Sequence, residues 1–165
     1  MAKTRLETGT KLDDFIIGEL IHRGGMAHLW EVKREGSEAP LLMKIPVLHE
    51  GEDPAAIVSF EMEQMIMPRL KGPHVPRHVA NGDFAVQPYI VMEKLSGETL
   101  LPQLKNLPLP VTKVAELGAR IADALVAIHA QGVVHLDLKP SNIMFRPSGE
   151  AVMVDYGLAH HRELP

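Results

Sequence analysis

The stretch from His135 to Met144, HLDLKPSNIM, constrains this chain more than any other part of it. Its charged and amide side chains lie between two short apolar segments, Val133-Val134 and Ile143–Phe145, both of which read as strands. A second polar group, Asp155-Tyr156-Gly157, follows the next apolar run. The pattern indicates polar loops carried by short strands, with carboxylates available for chemistry.

The spacing of these residues suits phosphoryl transfer. Asn142 comes five residues after Asp137, and Asp155 comes eighteen residues after Asp137. Phosphoryl transfer depends on positioned metal ions, charge stabilisation and an oriented nucleophile rather than on covalent chemistry by the protein. Carboxylate and amide oxygens are the hard ligands that magnesium accepts.

The two motifs resemble the signatures of the eukaryotic-type (Hanks-type) serine/threonine protein kinases, HRDxxxxN and DFG. Here they stand as HLDLKPSN and DYG. The resemblance implies that Asp137 accepts the proton of the substrate hydroxyl and that Lys139 lies beside the transferring phosphate. It also implies ATP and Mg²⁺ as cofactors, with Asn142 and Asp155 as the metal ligands.

The resemblance implies an α+β, protein-kinase-like fold, with an N-terminal antiparallel sheet lobe carrying one helix and an incomplete helical C-terminal lobe. We expect a flexible arm over residues 1–14, the N-terminal lobe over 15–93, and the hinge with the start of the C-terminal lobe over 94–165. Apolar patterning agrees with this division. The predicted elements are strands at Phe15–Leu20, Leu29–Lys33, Pro40–Pro46, His78–Phe84, Pro88–Glu93 and Ala151–Val154, a helix from Asp53-Pro54 to about Met67, and a long helix with Val114, Leu117, Ile121, Leu125 and Ile128 on its apolar face.

Lys44, in the predicted strand LLMKI, matches the family lysine that contacts the α and β phosphates. Its expected ion-pair partner is Glu63, nineteen residues later on the predicted helix. Glu61 is an alternative, although the pattern from Phe60 and the step to Leu70 favour Glu63.

The turn that covers the phosphates matches the family pattern GxGxxGxV only in part. Gly24, Gly25, Ala27 and Leu29 occupy its positions, but His22 and Ala27 stand where the first and third glycines are expected. The loss of two glycines predicts a stiffer turn and a low affinity for ATP. The motif Gly24-Gly25-Met26 resembles the corresponding turn in bacterial members of the family.

The segment YIVMEKLSGETL resembles the strand and hinge that hold adenine. Met92 would be the gatekeeper, and the backbones of Glu93 and Leu95 would offer hydrogen bonds to the base. A buried strand leading into a loop is the alternative interpretation of the same residues.

Two substitutions within the motifs bear on regulation. Leu136 replaces the arginine that pairs with an activation-loop phosphate in the family, so activity is not expected to depend on that phosphorylation. Tyr156 replaces a phenylalanine and adds a hydroxyl that needs a partner. His160-His161, directly after the second motif, are expected to be exposed.

The sequence ends at Pro165, before the APE motif and the helices that follow it in the family. We expect an experimental fragment, a truncated gene product or a half-domain completed by another chain. The resemblance then predicts an uncovered apolar face, open to self-association or to a partner chain, and nucleotide binding with little peptide phosphorylation by these residues alone.

Composition excludes several other classes of function. The net charge of −4 offers no basic stripe for nucleic acid, and the absence of cysteine removes thiolate metal sites and cysteine nucleophiles. No segment reads as a signal peptide or membrane span, so a cytoplasmic location is expected.

Two alternatives remain within the kinase-like fold. A small-molecule kinase of the aminoglycoside or choline type shares the loop layout, although Lys139-Pro140 favours a protein kinase. A nucleotide-binding pseudokinase or scaffolding module is favoured by the eroded glycine turn, and the retained charged residues count against it. The protein substrate cannot be inferred from the residues.

Overall fold

A computed structural model describes residues 6–47 and 54–165 of the chain. The chain divides into two compact units rather than at a single point near residue 94. The first unit takes in the chain through Val58 together with His78–Lys94, and the second consists of Ser59–Arg77 and Leu95–Pro165.

The first unit is built on a six-stranded antiparallel sheet. The order across the sheet is β1-β2-β3-β4-β6-β5. The strands are β1 (Lys11–Leu12), β2 (Phe15–Arg23), β3 (Ala27–Arg34), β4 (Leu41–Pro46), β5 (His78–Asn81) and β6 (Ile90–Glu93). The strands predicted from alternating apolar residues are all present, with ends that differ by a few residues.

The sheet has two faces because side chains alternate along each strand. One face carries the core of the unit, and its buried members are Phe15, Ile17, Val32, Leu41, Met43, Ile45, Tyr89 and Val91. The other face carries the intervening residues of the same strands, among them Leu29, Leu42, Lys44 and Met92. We call this second surface the Lys44 face.

The segment expected to be a flexible arm is joined to the sheet over most of its described length. The Thr8 hydroxyl donates to the Gly18 carbonyl over 2.9 Å, and the Gly9 amide donates to the Ile17 carbonyl over 2.7 Å. Strand β1 then pairs with β2, and Leu6 packs against the core. Apolar residues at these positions explain the attachment, since they cover the edge of the core.

Helix α1 runs from Pro54 to Ile66, and the short 3₁₀ turn Met67–Arg69 follows it at Pro68. Proline lacks the amide hydrogen that would continue the helix, as the sequence predicts. The expected N-cap, Asp53, lies outside the described residues.

The second unit is organised around helix α2, which runs from Val111 to Ala130. Leu117, Ala124 and Ile128 are its buried residues, whereas Val114, expected on the apolar face, is 54% exposed. Gly132 follows the helix with a φ of +80°, so the predicted glycine stop is confirmed.

Two short strand pairs complete the second unit. Strands β8 (Ile143–Phe145) and β9 (Ala151–Met153) form a hairpin, and β7 (Val133–Val134) pairs with β10 (His160–His161). The prediction that both histidines are exposed is wrong for His161, which is 5% exposed. Pairing with β7 turns one of two adjacent side chains inward.

Candidate active site

The polar loop after β7 brings three predicted residues into contact. The buried Asn142 side chain donates from its amide nitrogen to the Asp137 carbonyl and to the Asp137 carboxylate, at 3.0 Å each. The Lys139 ammonium lies 3.1 Å from the same carboxylate oxygen. The Asp137 side chain therefore lies between an amide and a cation.

His135 supports this loop from beneath. Its ring is 2% exposed, and its Nε2 lies 2.9 Å from the Val154 carbonyl. A carbonyl only accepts, so Nε2 carries the proton and Nδ1 is left to accept. The Asp137 amide donates to that Nδ1 over 3.2 Å. The neutral imidazole thereby orients the backbone at Asp137.

The backbone of both motifs adopts an unusual conformation. Leu136 has a φ of +61° and Asp155 a φ of +63°, and neither is glycine. Such residues cost on the order of 1–3 kcal/mol each and persist where surrounding contacts enforce them. Here the enforcing contacts are the hydrogen bonds on either side of Leu136, although its own side chain is 64% exposed.

Helix α1 holds the second motif at two points. The Tyr156 amide donates to the Glu63 carboxylate over 3.2 Å, and the Ser59 hydroxyl donates to the Gly157 carbonyl over 2.6 Å. Ser59 and Glu63 are four residues apart and share one face of the helix. Glu63 is buried while Glu61 is exposed.

Gly157 is required by this close approach. A Cβ built there would lie 2.7 Å from the Ser59 Oγ, closer than side chains tolerate. Sequence reasoning missed Ser59, although its position one helical turn before Glu63 was a usable signal.

The surroundings of the Tyr156 hydroxyl differ from those expected. Its ring is fully buried and packs edge-on against His135, with centroids 5.0 Å apart. Within the described residues its hydroxyl has no hydrogen-bond partner, so the predicted partner is not found. Burial, and then the nearby Glu63 carboxylate, raises the pKa of the Tyr156 hydroxyl well above its ordinary value.

Four predicted nucleotide residues of the first unit, Ala27, Leu29, Lys44 and Met92, share the Lys44 face. Leu29 lies directly opposite Lys44 on the neighbouring strand, and Met92 lies opposite Leu42. Directly opposed residues on antiparallel strands point to the same side of the sheet. Ala27, opposite Pro46, belongs to the same face.

The glycine turn connects β2 to β3. The Gly24 amide donates to the Ala27 carbonyl over 3.0 Å, and a Cβ on Gly24 would lie 2.8 Å from that oxygen. Gly25 has open space where a side chain would start. Glycine is therefore required sterically at the first position of the turn and not at the second.

The remaining predicted residues fall on both units. Glu93 ends β6 in the first unit, and the half-buried Leu95 belongs to the second. Lys44 and Glu63 likewise belong to different units, and their ion pair stays a prediction.

The donor set suits a hard divalent cation. Because the Asn142 nitrogen is occupied by Asp137, its side-chain oxygen remains available as a ligand atom, and the Asp155 carboxylate of the second motif would be the other protein ligand. In residues 6–47 and 54–165 no group of three or more histidine, aspartate or glutamate side chains could hold a metal. Two protein oxygens fit magnesium, which commonly takes its other ligands from phosphates and water.

Comparisons with known proteins identify the family of the chain. Residues 15–164 match the family model described as "Protein kinase domain". A probable serine/threonine-protein kinase, PknB of Lactococcus lactis, is 34% identical over 89% of the chain. The serine/threonine-protein kinase PknH of Mycobacterium tuberculosis is 31% identical over 92%. The chain spans about a quarter of the length of these curated relatives, 24% of each.

A solved structure supports the fold. The kinase domain of Mycobacterium tuberculosis PknI, crystallised as a mutant, superposes with a TM-score of 0.73 and 23% identity over 95% of this chain and 65% of that one. The α+β kinase fold predicted from the sequence is confirmed. None of the described helices is long and apolar enough to cross a membrane. The chain belongs to the protein kinase domain family, and its relatives are bacterial serine/threonine kinases.

Proposed function

We propose that this chain supplies the nucleotide-binding and phosphotransfer groups of a serine/threonine protein kinase. The proposed reaction moves the γ-phosphate of ATP to a protein hydroxyl. The observation that carries the proposal is the Asp137 carboxylate held by the Asn142 amide and the Lys139 ammonium. A base, a cation and a metal-ligand oxygen within one short loop are the groups that this reaction requires.

The proposed roles follow from these contacts. As the substrate oxygen forms its bond to the γ-phosphorus, the bond to the β,γ-bridging oxygen breaks and ADP leaves. Asp137 takes the hydroxyl proton, and Lys139 offsets the charge on the transferring phosphate. Asn142 and Asp155 would hold Mg²⁺, which supplies positive charge against the phosphate oxygens when it is bound.

The nucleotide would lie against the Lys44 face. Lys44 would contact the α and β phosphates, with Glu63 as its proposed ion-pair partner. Leu29 and Met92 offer apolar surface to the base, and the backbones of Glu93 and Leu95 are the proposed hydrogen-bonding groups.

Binding is the first test. Millimolar Mg-ATP is expected to raise the thermal unfolding midpoint of the 165-residue chain, because a ligand that binds only the folded state stabilises it. Lys44→Met and Asp155→Asn are expected to abolish most of the shift. Lys71→Met is the control, since Lys71 is an exposed lysine outside the strands that form the Lys44 face. An unchanged midpoint for the parent chain would contradict the proposal.

Transfer is the second test. Slow incorporation of radiolabelled γ-phosphate into a general protein substrate is expected, and Asp137→Asn is expected to remove it. Asp123→Asn, on the exposed side of α2, is the charge-matched control. Transfer that survives the Asp137 change would exclude the proposed base.

A second function is favoured by the turn. His22 and Ala27 replace two glycines there, and this loss supports a nucleotide-binding module without catalysis. Binding of Mg-ATP that depends on Lys44, with no transfer under any condition, would support the scaffold over the enzyme.

A further inference from the structure

His22 occupies a position from which its side chain can reach a nucleotide. It lies directly opposite Leu29 on β3, and Leu29 lies directly opposite Lys44 on β4. The three residues form one row across neighbouring strands on the Lys44 face. Since strands are about 4.8 Å apart, the backbones of His22 and Lys44 are roughly 10 Å apart.

An irregularity in β2 places His22 on this face. Leu20 pairs with Trp30 and His22 with Leu29, so two steps along β2 match a single step along β3. In a regular ladder continued from Leu20, His22 would lie opposite His28 and point to the other side of the sheet. The extra residue, Ile21, turns His22 towards the Lys44 face, as bulges commonly re-aim a side chain.

The ring of His22 lies beside the glycine turn. A Cβ on Gly24 would be 3.4 Å from the His22 Nε2. The Gly24 amide itself donates to the Ala27 carbonyl, so that backbone donor is engaged within the turn. The His22 ring therefore lies next to the Gly24 amide, a backbone donor that a phosphate cannot use in this conformation.

The charges around His22 are compatible with a phosphate contact. Lys44 is the charged residue of its row, and Arg23 and His28 oppose each other on the other face. Glu31, farther along the Lys44 face, is ion-paired with Lys94. In the described part of the chain no carboxylate is paired with the His22 ring, which is exposed.

We propose that protonated His22 contacts a phosphate of the bound nucleotide. This side-chain contact would replace part of the phosphate binding that the turn loses with its glycines. The ligand class is a nucleoside di- or triphosphate. The inference rests on the proposed function, because it assigns a residue to the same nucleotide site.

The proposal predicts the direction of a pH effect. Histidine side chains commonly change charge between about pH 5 and pH 8. A phosphate favours the protonated ring, so the contribution of His22 to binding grows as the pH falls.

Isothermal titration calorimetry of the whole chain with Mg-ADP, Mg-ATP and adenosine tests the proposal. His22→Gln is expected to weaken binding of both phosphate ligands about fivefold near pH 6 and less than about twofold near pH 8, as for loss of one charge-assisted hydrogen bond. Adenosine affinity is expected to stay unchanged. His28→Gln, on the opposite face of the same hairpin, is the control and is expected to match the parent.

Comparison with the substituted chain at each pH cancels the protonation of the nucleotide itself. His22→Gly, which restores the family residue, is a second variant in case glutamine disturbs the turn, and it is expected to lose the same pH-dependent part. An effect of equal size at both pH values, or an equal loss of adenosine binding, would overturn the phosphate contact. Phosphate-ligand binding that neither variant changes overturns this inference and leaves the proposed function standing. A folded parent chain that binds no nucleotide overturns both.

Discussion

The two tyrosines of the chain differ in how their hydroxyl groups are satisfied. The Tyr89 hydroxyl donates to the Asp13 carboxylate over 2.5 Å, and burial, then that contact, raises its pKa well above the ordinary value. The Tyr156 hydroxyl is buried with no hydrogen-bond partner in the described residues. A buried hydroxyl without a partner costs free energy that a phenyl ring avoids.

Replacing each tyrosine by phenylalanine should therefore have opposite effects. Tyr156→Phe is expected to raise the free energy of unfolding by about 1 kcal/mol, since it removes an unsatisfied polar atom. Tyr89→Phe is expected to lower it by about 1 kcal/mol, since it removes a hydrogen bond. Urea unfolding followed by circular dichroism measures both. A loss of stability in Tyr156→Phe equal to that in Tyr89→Phe would show that the hydroxyl has a partner.

At the scale of single residues, the structure brings predicted residues into contact where they are near in the chain. Asp137, Lys139 and Asn142 lie within one short loop, so their contact follows from local geometry. The Tyr156 hydroxyl was expected to find a partner, and its surroundings depend on residues far away in sequence. Ser59 was missed for the same reason, because it meets Gly157 across 98 positions.

Two glycines of the α2 region have different roles. Gly118 lies on the exposed side of the helix, and no atom comes within 4 Å of the point that its Cβ would occupy. Gly132 follows the helix at a φ of +80°, and a Cβ there would lie 2.8 Å from the Arg162 Nε. Gly118 therefore lowers the stability of the helix, whereas Gly132 is required where the helix ends.

Alanine substitution separates these roles. Gly118→Ala is expected to stabilise the chain by about 0.5–1 kcal/mol through helix propensity. Gly132→Ala is expected to destabilise it by about 1–3 kcal/mol, because alanine is strained at positive φ. Chemical denaturation midpoints of the two variants measure the difference. A Gly132→Ala chain as stable as the parent would mean that β7 and β10 can shift without loss.

At the scale of elements, apolar periodicity and the positions of proline and glycine predicted the strands and both helices. They did not predict the detailed register of the strands. Alternation identified β2, β3 and β4 and could not reveal the irregularities within β2. These depend on how the partner strand is spaced, which one strand's sequence does not contain. The exposure of Val114 has a similar cause, since the apolar stripe of α2 is wider than the surface that covers it.

At the scale of the whole chain, the N-terminal segment contributes to stability. Residues 6–10 add three hydrogen bonds to β2 and, through Leu6, apolar cover for the core. A chain that begins at Lys11 is expected to unfold at a temperature roughly 5 °C lower, the shift that corresponds to a loss of about 2 kcal/mol.

Differential scanning calorimetry of the shortened and parent chains measures this change. Leu6→Ala in the full chain is a milder variant that keeps the backbone hydrogen bonds, and a smaller decrease is expected from it. An unfolding temperature that truncation leaves unaltered would show that the segment adds no stability. The sequence did not predict this attachment, because the segment is polar overall and its few apolar residues gave no periodic signal.

The extra residue in β2 also affects how the chain can tolerate changes in length. Removal of Ile21 would leave Leu20 paired with Trp30 and His22 with Leu29, so every pair beyond it could be kept. Removal of one residue from β4, whose pairing with β3 is regular, would instead move Lys44 to the opposite side of the sheet. Gaps in alignments of related chains should therefore be common at Ile21 and rare in β4.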